Sequence, residues 1–538
     1  MSWWKFSPWS VVRRPLQGNS GSTDNGQRTK MKSPRVFLVG AGPGHPGLIT
    51  LRGLECLQQA DLVIYDKLVS ETVLEHAPSG AELMCVTELG KHHVDRYLPV
   101  QEAMVEAAKN GKCVVRLKGG DPFLFGRGGE EAEALRQANI PYEIVPGVTA
   151  ALGAAGFAGI PLTHRSHASA VAFVTGHENP AKPESALDWA ALARFPGTLV
   201  IYMGMSRLGQ ITQALLEQGK PPNTPAVAAQ WASMGLQHTV EAPLGELANS
   251  VTKEGITAPA VVIIGSVVSL RKQLGWFEKQ PLFGKRVLVT RPRRQASELA
   301  HGLVLLGAVP IILPAVGIKP PPDWTPVDRA LTQLQVYHWV VFTSVNGVHA
   351  FMERLKVVDQ DVRAFGTAKL AAIGPKTAEA LEQYYLKPDL VPEKFQSENL
   401  ARVLKERIKP GQRILLARAD RGRDLLQKEL AGIAQVEQIA VYSQVDAVAA
   451  DSPAVDSLRR GEIDYVTLTS SNIARALIRS LDEPCRVRLE SGQVKLVSIS
   501  PVTSAEVRQM GLPIAAEAAE ATTKGILEAL IRLASGNP

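Results

Sequence analysis

Part of this chain repeats itself, and the repeat limits what its C-terminal half can fold into. The run Val340 to Asn346 recurs as Tyr465 to Asn472, so that Thr343, Ser344 and Asn346 align with Thr469, Ser470 and Asn472. At the same offset Pro375 and Thr377 recur as Pro501 and Thr503, each just after an apolar strand-like run. One residue out of that register, Arg286 to Arg291 loosely matches Arg413 to Arg418. Two similar α/β lobes follow, each presenting Ser/Thr-rich turns at strand ends, where open α/β sheets bind ligands. Hydroxyls repeated around one cleft can donate hydrogen bonds to many carboxylates.

The N-terminal half alternates strands and helices as well. Val36 to Val39 runs into Gly40-Ala41-Gly42-Pro43-Gly44; a helix with Leu51, Leu54 and Leu57 on one side follows, then a strand at Leu62 to Tyr65. Pro99 and Gly111 bracket another helix before the strand Cys113 to Leu117. A glycine-rich loop, Gly119 to Gly129, leads to a helix from Glu130 to Ala138 and a strand at Tyr142 to Val145. Runs at Thr198 to Met203 and Ala260 to Gly265 suggest a second lobe. Residues 271–284 lack periodicity and are read as a linker, which divides the chain into units 34–270 and 285–538.

A length of 538 residues exceeds one hydrophobic core and implies about two to four domains. The net charge is +7, with a pI near 9.1. The lysines and arginines are dispersed rather than clustered, which argues against a nucleic-acid partner. Cys56, Cys85, Cys113 and Cys485 lie far apart with no C-x-x-C pair, so neither a zinc site nor a disulfide framework is indicated and a reducing cytoplasm is expected. Nothing approaches the roughly 18 consecutive apolar residues of a membrane span. Residues 1–33, polar and Gly/Ser-rich from Gln17 to Lys32, are expected to be a disordered extension without the apolar core of a secretory leader, and Met31 is an alternative start.

A glycine-rich turn after a strand first suggests dinucleotide binding. Gly40, Gly42 and Pro46-Gly47 nearly meet the G-x-G-x-x-G order, with Asp66 near the distance expected of a ribose-binding acid. Pro43 and Pro46, however, intrude where helix-opening amides would meet a pyrophosphate. A nicotinamide-dependent dehydrogenase is the alternative for this half.

The wider constellation points elsewhere. VFLVGAGPGHPGLITLRG, LVIYDKLVS, VVRLKGGDPFLFGRGGEEAEAL and VPGVTAALGAAGFAGIPLTHR occur in order, followed by VTGH at Val174 to His177 and YMG at Tyr202 to Gly204. This set, over about residues 34–280, closely resembles the uroporphyrinogen III C-methyltransferases. VLVTRP, FTSVNGV, AIGPKTAEAL, SENL, VYSQV and TLTSSN make the C-terminal half similar to uroporphyrinogen III synthase. The resemblance implies a tetrapyrrole methylase-like two-lobed α/β domain followed by a bilobed α/β synthase. It implies a homodimer through the methyltransferase, with S-adenosylmethionine as methyl donor and no metal. The cofactor positions are Pro43, Gly119, Gly120, Asp121, Leu124, Thr149, Ala150, Met203 and Ala232. Asp66 and Lys91 match a proton acceptor and a proton donor. In the synthase half Tyr442 matches the tyrosine that helps a hydroxyl leave, and Thr377, Ser470 and Thr503 match substrate contacts. The expected chemistry is closure of hydroxymethylbilane with ring D inversion, then two methylations giving precorrin-2. Both substrates carry many carboxylates, which gives the positive charge a role in steering.

Three positions depart from the family pattern. His45 replaces the usual aspartate before the first helix, where it is expected to cap poorly. Trp231-Ala232 replaces Asn-Gly, and His92 follows Lys91 where arginine is common. His92-His93 and His164/His167 are read as non-metal histidines, since no cysteine or carboxylate cluster accompanies them.

Overall fold

Alternation of side chains across buried strands sets the architecture. On β1 (Val36–Gly40) Val36 and Leu38 enter one apolar cluster, while Phe37 and Val39 enter another on the opposite face. Period-two burial on both faces is the mark of a parallel sheet covered by helices. The computed structural model describes residues 36–78, 80–89, 98–177, 187–421 and 424–536. The expected extension at 1–33 lies outside them.

Strand β1, β2 (Leu62–Tyr65), β3 (Glu82–Cys85), β4 (Val114–Lys118) and β5 (Tyr142–Val145) form one parallel sheet in the order β3-β2-β4-β1-β5. A second sheet holds β6 (Val171–Thr175), β7 (Thr198–Tyr202), β8 (Pro225–Gln230), β9 (His238–Pro243) and β10 (Ala260–Ile264) in the order β6-β7-β10-β8-β9, parallel only between β6 and β7. The first helix, Leu51–Leu57, buries Gly53, Cys56 and Leu57 rather than the expected leucine stripe, and Leu51 is exposed. Thr50 caps it by accepting the Gly53 N–H, which fixes where the helix begins.

The C-terminal half has two further sheets. One contains β11 (Arg286–Val289) and β12 (Val309–Ile312). The chain then crosses over through β13 (Val316–Lys319) to build the other from β14 (Trp339–Phe342), β15 (Lys369–Ala372), β16 (Arg413–Ala419) and β17 (Gln435–Asp446). It returns to finish the first with β18 (Tyr465–Leu468), β19 (Lys495–Ser498) and β20 (Ala516–Glu517). The orders are β12-β11-β18-β19-β20 and β13-β17-β16-β14-β15. The two expected lobes are present, and the repeat maps strand for strand: β11, β18 and β19 correspond to β16, β14 and β15. The first lobe is discontinuous, however, because Val287 pairs with Tyr465 across the whole intervening lobe.

The segment 271–284, read as a linker, contains the helix Arg271–Leu274 and a 3-10 turn at Phe277–Lys279. Phe277 is 1% exposed, and the Trp276 indole donates to the Gly156 carbonyl at 2.9 Å. Glu278 accepts from Gln237, Thr239 and Arg271 at 3.0, 2.7 and 2.6 Å. Aromatic anchoring ties Trp276 to Glu278 onto the N-terminal half despite the segment's lack of periodicity. Leu282 buries into the C-terminal half, and a Cβ on Gly235 would lie 2.5 Å from the Gly307 carbonyl oxygen, so the two halves touch directly.

Candidate functional sites

In the N-terminal half the strand ends of the first sheet meet the second lobe. Gly42 and Gly120 form a β-bridge, exchanging N–H···O bonds of 3.2 and 2.8 Å. A Cβ on Gly40 would sit 2.5 Å from the Gly147 Cα, so only glycine permits these loops to touch. The bridge uses the amide that a pyrophosphate would need, and the turn after it, Pro46–Leu48, is only three residues long. Both features disfavour the dinucleotide alternative.

Asp121 fastens the glycine-rich loop. One carboxylate oxygen accepts from Phe123 and Leu124 N–H at 2.8 and 3.1 Å, and the other accepts from Gly147 at 2.9 Å. Thr149 ends the first lobe, and its hydroxyl meets the Tyr202 hydroxyl at 2.7 Å; the Tyr202 oxygen also accepts the Ala151 N–H at 3.0 Å. Leu124, Ala150 and Ala232 pack on one apolar cluster, and Pro43 lies against Gly153 in the same helix as Ala150. Met203, next to Tyr202, is half exposed in a left-handed conformation. The nine positions matched to cofactor contacts therefore gather around the seam between the lobes. At the departure from Asn-Gly, it is Trp231 that has φ of 47°, whereas Ala232 is not left-handed, so glycine is not required there.

Asp66 follows β2. One carboxylate oxygen is hydrogen-bonded to the Arg116 guanidinium, and the other accepts the Gly119 N–H at 3.2 Å. Arg116 also donates to Glu131 at 2.9 Å, and Lys118 reaches the same Glu131 oxygen at 2.8 Å. All three side chains are almost fully buried. Burial and the Arg116 charge push the Lys118 ammonium below its ordinary range. This network escaped the sequence reading; its signal is two basic residues at alternate positions of an otherwise apolar strand, VVRLK. Lys91 and His92-His93 lie outside the described residues. His164 and His167 shape a tight turn, with the His167 N–H bonded to the His164 carbonyl at 3.0 Å.

His45 does cap its turn, contrary to expectation: its Nδ1 accepts the Gly47 N–H at 3.0 Å. Burial holds its pKa below the ordinary 6.5, with the charge of His301 from the C-terminal half as a second cause, and a neutral ring is what the cap requires. His76 is shifted the same way by the same two causes.

In the C-terminal half a cleft of about 950 Å³ opens between the lobes. Thr469, Ser470, Ser471, Ser500 and Thr503 line one wall, and Asp420, Arg421, Gln444 and Asp446 the other. The repeat has a structural cause here. Ser344, Ser470 and Ser500 each cap a helix by accepting a backbone N–H, at 3.0, 3.2 and 3.5 Å. Ser470 and Thr503 reach the cleft as expected, whereas Thr377 is buried at a helix start and Tyr442 is 4% exposed, and neither is on its wall. The Tyr442 hydroxyl lies 3.1 Å from Ser344 Oγ and is also bonded to Gln444, which does line the cleft. Burial pushes its pKa up, so it stays protonated and able to donate. The sequence reading missed the cleft's arginines, Arg421, Arg475 and Arg479.

Comparison with known proteins agrees with this division. Residues 35–248 match the family of Tetrapyrrole (Corrin/Porphyrin) Methylases, and residues 297–528 match Uroporphyrinogen-III synthase HemD. The Porphyrin biosynthesis protein HemD of Ruminiclostridium josui is 34% identical over 93% of this chain and 98% of its own length. The Uroporphyrinogen-III C-methyltransferase of Bacillus subtilis (strain 168) is 39% identical over 66% of this chain and 72% of its own. A crystal structure of Uroporphyrin-III C-methyl transferase from Thermus thermophilus, complexed with S-adenyl homocysteine, is 40% identical, covers 44% of this chain and 93% of that chain, and has a TM-score of 0.37. With one relative matched end to end and a distinct family on each side of the seam, the chain belongs to the two-part porphyrin biosynthesis proteins that join a tetrapyrrole methylase to a uroporphyrinogen-III synthase.

Proposed function

We propose that the C-terminal half closes hydroxymethylbilane to uroporphyrinogen III with inversion of ring D, and that the N-terminal half methylates this product twice to give precorrin-2. The observation that carries the reading is the union in one chain of a uroporphyrinogen-III synthase unit and a methylase unit whose relatives include a uroporphyrinogen-III C-methyltransferase. The units assigned are 34–270 and 285–538 with a junction at 271–284. A homodimer formed through the methyltransferase and a cytoplasmic location complete the proposal.

The seam between the first two lobes fits a ligand with a flat base and a polar tail. Gly119 and Gly120 carry no side chain into it; a Cβ on Gly120 would fill the space against Thr149 and Ala150. The hydrophobic faces of Leu124, Ala150, Met203 and Ala232 and the free lone pairs of Asp121 complete the cradle with Pro43. These residues would hold S-adenosylmethionine, which supplies an electrophilic methyl group when bound. Holding the tetrapyrrole carbon in line is the chain's main contribution. Asp66, held by Arg116 and by the Gly119 N–H just after β2, is assigned as proton acceptor for the proton made acidic by ring alkylation. Lys91 is assigned as proton donor.

In the synthase, Ser470, Thr503 and Thr377 are assigned to substrate holding, Ser470 and Thr503 from the cleft wall through hydroxyls able to donate to carboxylates and Thr377 from its buried position at a helix start. Tyr442 is assigned to assist departure of the bilane hydroxyl, acting through its hydrogen-bonded neighbours Ser344 and Gln444.

The test is incubation of the full chain with hydroxymethylbilane and S-adenosylmethionine, with product identification. Precorrin-2 is expected. Only the uninverted macrocycle would refute the synthase assignment, and unmethylated uroporphyrinogen III the methylase assignment.

A further inference from the structure

Among the described residues three guanidinium groups line the synthase cleft, and two are already neutralised. Arg421 pairs with Asp446 at 2.6 Å. Arg475 grips both oxygens of Glu506, at 2.9 and 2.8 Å. Arg479 is exposed on the same wall and, among the described residues, has no carboxylate partner. It lies on the helix Ser471–Ser480, whose residues Asn472, Arg475, Ala476 and Arg479 all line the cleft. Their spacing of i, i+3, i+4 and i+7 places them on one helical face. That face is aimed by the Ser470 cap at one end and by the Asn472 side chain, which donates to Gln444 of the opposite lobe at 3.2 Å.

We propose that Arg479 is a specificity-determining residue of the synthase that docks one peripheral carboxylate of the tetrapyrrole. The inference rests on the synthase reaction proposed above. A ligand carboxylate gains little at Arg475 or Arg421, because it would replace an anion already bound there. At Arg479 it forms a new charge-assisted pair, and the guanidinium fork can hold both its oxygens. The net positive charge of the chain attracts a polyanion from any direction, whereas the Arg479 guanidinium on one wall sets how the tetrapyrrole is turned in the cleft.

Steady-state uroporphyrinogen III formation by the full chain tests this. Arg479→Gln is expected to raise KM about 5- to 10-fold with kcat within about twofold, the pattern of a lost binding contact. Arg479→Lys, which keeps the charge without the fork, should fall between. Arg363→Gln removes the same charge from a residue 89% exposed and outside the cleft wall, and should leave KM unchanged. Glu506→Gln in the Arg479→Gln background frees Arg475 and should bring KM back toward wild type. A KM for Arg479→Gln within about twofold of the Arg363→Gln value, with an active wild type, overturns the role of Arg479 alone. A wild type that makes no uroporphyrinogen III overturns the synthase reading along with it.

Discussion

The carboxylate of Asp66 is held by the guanidinium of Arg116, a side chain that is 1% exposed and shared with the buried Glu131. A surface turn carboxylate would need no such support. The arrangement orients one Asp66 oxygen and leaves the other on the Gly119 N–H, next to the proposed methyl-donor cradle.

Asp66→Asn is expected to lower methylation of supplied uroporphyrinogen III by about 100-fold or more while S-adenosylhomocysteine affinity stays nearly unchanged. Arg116→Met should do structural damage instead, because Glu131 and Asp66 lose their shared cation; about 3–5 kcal/mol of stability is expected to go. Turnover assays, calorimetric titration and thermal unfolding separate the two. Full turnover in Asp66→Asn would reduce Asp66 to a turn residue.

The neutral His45 ring ties stability to pH. Its folded pKa lies below the ordinary 6.5 that the unfolded chain restores. Its contribution is therefore complete above about pH 6.5 and is lost as pH falls through the folded value, since the unfolded state then binds the extra proton. His45→Asp should flatten that acid-side loss and leave the methylation rate similar. No gain in stability at pH 8 is expected, because the Gly47 N–H already has an acceptor. Melting temperatures from pH 5 to 8 check both statements; an equally steep acid-side loss in the variant would count against them.

Tyr442→Phe removes one hydroxyl from a buried, hydrogen-bonded position, so a stability loss of about 1 kcal/mol is expected on structural grounds. If the hydroxyl also assists ring closure, uroporphyrinogen III formation slows and the uninverted isomer accumulates. The isomer ratio decides: a wild-type ratio alongside the stability loss would mean that Tyr442 only packs and bonds to Ser344.

The place where the chain can be cut follows from Phe277 and Leu282. A fragment ending at residue 280 retains the Trp276, Phe277 and Glu278 contacts and should fold and bind S-adenosylhomocysteine. One ending at residue 270 loses the buried Phe277 ring and is expected to be less stable by about 3 kcal/mol or more. Denaturant unfolding of the two fragments is the measurement, and equal midpoints would show that the aromatic contacts contribute nothing.

What was legible in the sequence was local. The strand at Val36 to Val39, the loop GAGPG, the helix after the Gly119 to Gly129 loop and the Ser/Thr turns at the strand ends of the repeat depend on short-range hydrophobic patterning and turn geometry. The ordered motifs then brought both families and the seam residues within reach. Pairings between distant segments were not legible, because strand order decides them. Asp66 meets Arg116 only because β2 lies beside β4, and β11 pairs with β18 only because the chain leaves its lobe and returns. For the same reason, the sequence showed Arg475 and Arg479 as two alike residues four apart. Only the packing of the helix Pro501–Gln509 against theirs supplies Glu506 to one and leaves the other open to the cleft.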